Sequence, residues 1–82
     1  MRIINVITFR TGILVDLKSF VIKDTPEHHN PQIELAEQVF EETIKKIDPE
    51  IDDDDIYVAK DNGSWDDING NQIMITWSNE VI

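Results

Sequence analysis

The clearest periodicity in the chain runs from Pro31 to Ile47. Ile33, Ala36, Val39, Phe40, Thr43, Ile44 and Ile47 recur at helical spacing, while Glu34, Glu37, Gln38, Glu41, Glu42, Lys45 and Lys46 fall on the other faces. This predicts one amphipathic helix with a single apolar stripe. Asn30-Pro31 supplies its start, an amide side chain to hold an orphan N–H followed by a residue that has none to lose. Asp48-Pro49 supplies its end, because a residue before proline is pushed out of the α region. Glu41 with Lys45 and Glu42 with Lys46 are i,i+4 pairs in the favourable order. Leu35 lies off the stripe and is expected to be exposed.

β-branched and aromatic residues fill Arg2–Phe9 and Ile13–Ile22, with Arg10-Thr11-Gly12 between them, which predicts a hairpin over 2–23. A three-residue loop sets Phe9 against Ile13, Ile7 against Val15, Asn5 against Leu17 and Ile3 against Ser19. A two-residue loop sets Ile7 against Asp16 instead, so side-chain alternation favours the longer loop. The expected core face is then Ile3, Ile7, Phe9, Ile13, Val15, Leu17 and Val21. The other face keeps Ile4, Val6, Leu14 and Phe20, which one helix cannot also cover. These four form a candidate homodimer or partner face, unless Val81, Ile82 or the stems of Arg2 and Lys18 shield them.

A polar linker over 24–30, with a turn signal at Thr25-Pro26, leads into the helix. After it, 48–55 reads as an acidic connector, since the consecutive Asp52, Asp53, Asp54 and Asp55 repel one another. A second hairpin is expected over 56–77, with strands Ile56–Lys60 and Gln72–Trp77 and with Ile73, Ile75 and Trp77 on one side. The stretch 61–71 holds two turn signals, Asn62-Gly63 and Asn69-Gly70. A three-strand meander through both mixes faces, so one long acidic tip is favoured. The order ββαββ defines an α+β, two-layer domain: a four-stranded, mainly antiparallel sheet with one amphipathic helix packed on one face. All 82 residues form a single domain.

A chain of this length buries only ~60–65% of the surface its unfolded form exposes. It has no apolar run of the ~18 residues that would suggest a membrane span, and it has no secretory signal, so a cytoplasmic protein is expected. The absence of cysteine removes disulfides and thiolate chemistry. The formal net charge is −10, and it is lopsided: Met1–Lys23 nets +3 and Asp24–Ile82 nets −13. Such a field repels nucleic acid and anionic membranes and attracts basic surfaces.

The candidate chemistry narrows accordingly. An EF-hand loop counted from Asp67 finds Asn69 and Asn71 in place, but has Gln72 where glycine is needed and Ser78 where glutamate is needed. His28 and His29 are adjacent, with no third nitrogen or sulfur ligand, and read as linker residues. No nucleophile elbow or glycine cradle supports catalysis, so no enzyme activity and no cofactor or metal are expected. What remains is protein binding. Glu34, Glu37 and Glu41 on one helix edge, Asp52–Asp55 after it, and Asp61, Asp66 and Asp67 around Trp65 space carboxylates as a phosphate backbone does. They suit a partner protein with a basic surface, with Trp65 and Tyr57 as anchors. In size and charge the chain resembles nuclease immunity proteins and phage-encoded DNA-mimic inhibitors, a likeness of composition that carries no residue over. The expected function is an acidic binding module of this inhibitor or decoy kind. The alternative is an assembly subunit joined through the apolar back of its first hairpin.

Overall fold

The computed structural model describes residues 2–22 and 31–78. The proposed cap Asn30, the linker histidines His28 and His29, and the tail residues Val81 and Ile82 lie outside the described residues. Six elements follow in order: β1 (Arg2–Arg10), β2 (Ile13–Ile22), α1 (Pro31–Ile47), α2 (Asp53–Asn62), β3 (Ser64–Asp66) and β4 (Asn71–Ser78). The strands form one antiparallel sheet in the order β2-β1-β4-β3, so both hairpins share a sheet and the two central strands come from opposite ends of the chain.

α1 forms over the expected residues. Ala36, Phe40 and Ile44 are fully buried along its stripe, Ile33, Val39 and Ile47 pack beside them, and Leu35 is exposed. Lys45 Nζ reaches Glu41 Oε2 at 3.5 Å, whereas Glu42 accepts from Gln38 Nε2 at 3.0 Å.

The segment expected as connector and strand is a helix. α2 starts at Asp52, which takes the N-cap position in extended backbone, and places Asp53, Asp54 and Asp55 in the first turn. The positive end of the helix dipole lies beside those charges, so the aspartate run that repels itself in isolation is tolerated there, although the Asp52 side chain makes no capping hydrogen bond. The helix ends at Gly63, in the left-handed region at φ 70°, whose N–H returns to Ala59 O at 2.8 Å. Ile56 and Ala59, three apart, turn inward to the core, while Tyr57 and Val58 are exposed. The third strand is therefore the short β3 within the expected tip, with Trp65 opposite Ile73. β4 forms where expected.

The sheet faces are the reverse of the expected ones. Ile4, Val6, Ile22 and Ile73 join Ala36, Phe40, Ile44, Ile56 and Ala59 in one core under the helices, with Phe20 packed against it. Three of the four residues offered as an oligomer face, Ile4, Val6 and Phe20, are thus interior; only Leu14 is exposed. Of the expected core residues Ile3 is fully buried, whereas Ile7 and Phe9 are half-buried and Ile13, Val15, Leu17 and Val21 are exposed.

The register also differs: the expected pairs Ile7 with Val15, Asn5 with Leu17 and Ile3 with Ser19 are replaced by Ile7 with Leu17, Asn5 with Ser19 and Ile3 with Val21, a shift of two that leaves these residues on the same face as before. The turn is two residues long, with Thr11 at φ 50° and Gly12 at φ 80°. A bulge between Thr8 and Phe9 then sets Thr8 opposite Asp16 but Phe9 opposite Leu14, leaving Val15 as the extra residue. The bulge sets Ile7 opposite Leu17, where the two-residue turn alone sets it opposite Asp16 and the expected three-residue loop opposite Val15. Both faces of β1 are apolar, so alternation could not say which one the helices would take.

Candidate functional site

α2 and the β3–β4 turn enclose a groove of about 450 Å³. Val58, Ala59, Trp65 and Ile68 give it an apolar floor and flank, and Asp55, Asp66 and Asp67 stand on its rim. Two of the acidic clusters proposed from sequence, separated by a helix, are brought together here. Val58 and Ile68 were not among the sequence candidates; the sequence signal for Ile68 is a lone isoleucine between Asp67 and the turn residues Asn69-Gly70, and the structure leaves it wholly exposed.

Each wall has a structural origin. Asp67 holds the turn: its Oδ1 accepts from the Asn69 and Asn71 backbone N–H groups, both at 2.9 Å, and its Oδ2 accepts from Asn71 Nδ2 at 2.8 Å. These bonds, the Asn71 side chain first, hold its carboxyl below the usual aspartate value. Trp65 is half-buried against the core, so it is a wall of the groove and part of the fold at once. Asp66 is exposed and makes none of these bonds, and Asp55 projects from the first turn of α2.

The other proposed carboxylates go elsewhere. Glu41 is not free for a partner: Lys60 Nζ lies 2.8 Å from its Oε1, tying α2 to α1, and Lys45 approaches from the same helix. The hydrogen bond from Lys60, aided by the nearby lysine charges, lowers its carboxyl below the ordinary 4.5. Glu37, Asp61 and Lys60 line a second groove, of about 320 Å³, together with Ile75 and Trp77. Arg2 stacks over the Trp77 ring at 4.4 Å from its centroid. Glu34, Asp52, Asp53 and Asp54 are exposed on the helical layer and border neither groove.

Charge is segregated between the layers. Residues 31–62 carry eleven carboxylates against three lysines, whereas the four strands carry Arg2, Arg10 and Lys18 against Asp16 and Asp66. Among the described residues, no three His, Asp or Glu side chains converge as a metal site would require, and no helix is long and apolar enough to cross a membrane. No known protein family, curated protein or solved structure matches the chain.

Proposed function

We propose that this protein is a non-enzymatic, acidic binding module that docks its helical layer onto a basic protein surface, of the kind that otherwise holds nucleic-acid phosphates. The observation that carries the reading is the groove between α2 and the β3–β4 turn. Its apolar floor suits the aliphatic stem of a lysine or arginine, and its rim of Asp55, Asp66 and Asp67 suits the cationic head. The carboxylates of α1 and α2 extend the same sign of charge around it and steer the approach.

The test is capture from nuclease-treated lysate, elution through a salt gradient, and measurement of the isolated partner's affinity for the wild type and for Asp55→Asn/Asp66→Asn. Those two carboxylates are chosen because neither holds the fold, unlike Asp67 and Trp65. The expected result is a basic partner released as salt rises, with binding weakened by about tenfold or more, ~1.4 kcal/mol, in the double variant. Unchanged affinity in that variant rejects the groove as the docking site.

A further inference from the structure

β3 is an outer strand of the sheet, and only one of its edges is paired. Ile75 N–H donates to Gly63 O at 2.8 Å, and Asp67 N–H donates to Asn71 O at 3.0 Å. Those bonds flank the register pairs of Ser64 with Met74 and Asp66 with Gln72. In an antiparallel ladder of that phase, the N–H and C=O groups of Ser64 and Asp66 point away from β4. Four backbone groups therefore line the outer edge, at two exposed residues, and among the described residues no turn, loop or side chain takes them up.

The groove of about 450 Å³ runs beside this edge. Successive strand residues point to opposite sides of a sheet, yet Ser64, Trp65 and Asp66 all line it, and α2 forms its other wall through Asp55 and Val58. We propose that the occupant is an extended, basic segment of a partner protein, which adds to β3 as a fifth antiparallel strand. The proposal rests on the reading of this groove as a site for cationic side chains and names the form in which they arrive. A lysine standing on a folded surface would fill the groove and leave the four backbone groups to water, whereas an extended backbone pairs with them.

Charge selects the segment. Asp66 lies in register with Gln72 and Phe9, on the side of the sheet away from the helices, whereas Trp65 lies in register with the core residue Ile73 and shares its side with Asp55 of α2. Carboxylates thus stand on both sides of the sheet plane, and an added strand sends alternate side chains to both sides. Two adjacent basic residues each meet one. The residue opposite Trp65 lays its stem on Trp65 and Val58 and turns its head to Asp55, and the residue before it pairs across the strands with Asp66. An aspartate on an edge strand also disfavours neutral and acidic strands, so the same side chain admits one class and rejects the others.

The test uses an unstructured peptide of about eight residues, threonine and valine around a central Arg-Lys pair, titrated against the intact chain from about 10 µM to about 3 mM. Two isomers of equal charge accompany it. One carries N-methyl groups on arginine and on the residue after lysine, whose amides would face β3; the other carries them on lysine and on the residue before arginine, whose amides would face away. The expected result is that the second isomer binds as the parent does and the first binds at least about tenfold more weakly. At saturating parent peptide, hydrogen exchange at the Ser64 and Asp66 amides should slow by about tenfold or more. Equal binding by the two isomers overturns the proposal, as does unchanged exchange at both amides or no binding of the parent peptide. Equal binding that is nevertheless lost in Asp55→Asn/Asp66→Asn removes the added strand and leaves the acidic groove as a docking site. The groove itself falls only when that double variant keeps full affinity for the isolated partner, so the two failures are distinct.

Discussion

Thr11 is a β-branched residue at φ 50°, a region that costs an L-residue roughly 1–2 kcal/mol. It sits where the two turn tips touch: its N–H donates to Gly70 O at 2.8 Å, and a methyl group on Gly70 would meet the Thr11 side chain at 3.0 Å. Thr11→Asn, a residue that tolerates the left-handed region, should raise stability by about 1 kcal/mol in urea unfolding. Gly70→Ala meets both a positive φ and a crowded neighbour. Gly12→Ala meets the φ alone, since nothing lies within 4 Å of its would-be Cβ, and should therefore cost less. The sequence announces Gly12 and Gly70 as turn residues, but not Thr11 at positive φ, because local preference argues against threonine there. Arg10, expected in the loop, pairs with Ile13, and the extra residue is Val15 on β2; no local pattern distinguishes an extra loop residue from an extra strand residue.

At the scale of the element, α1 was legible because six apolar residues and Thr43 share one stripe, whereas α2 turns only Ile56 and Ala59 fully inward and so shows almost no period. Its end signals were present: Asp52, three further aspartates in the first turn, Lys60 in the last and Gly63 beyond. Two predictions belong here. Replacing Asp53 or Asp54 with lysine should cost about 0.3–1 kcal/mol at low salt by opposing the helix dipole, in a urea titration that resolves α2. Glu41→Gln should cost a few tenths to ~1 kcal/mol at neutral pH, as expected for a partly exposed pair. The folded carboxyl is lowered below its ordinary 4.5, so its contribution is complete above that pH and disappears as pH falls through the folded value. The gap between wild type and Glu41→Gln should therefore close in acid, and Lys60→Gln should remove most of it at every pH.

For the whole molecule, the class, the four-stranded antiparallel sheet and the packing of helix on one face were readable from pattern, but the choice of face was not. Ile4 and Val6 compete with Ile7 and Phe9 on equal terms, and the decision falls to the far strands, where Ile22, Ile73 and Ile75 complete one side. The candidate site was legible only as separate acidic runs: Asp55 and Asp66 become neighbours through a helix that periodicity did not reveal. The segregated charge yields a further prediction. Repulsion among the eleven carboxylates of residues 31–62 opposes the compact state, so the thermal midpoint should rise when sodium chloride is added to a low-salt buffer.

The strand order also sets a timetable. Among the described residues β4 is the last element in sequence order, yet it lies between β1 and β3 and joins them. As the chain is synthesised, β1 waits with its inner edge unpaired, and the apolar stripe of α1 waits for Ile73 and Ile75. β3 has no partner at all until β4 arrives. Chains truncated before Asn71 should therefore remain sensitive to protease, and the fold should close in one step when the strand that goes to its centre joins.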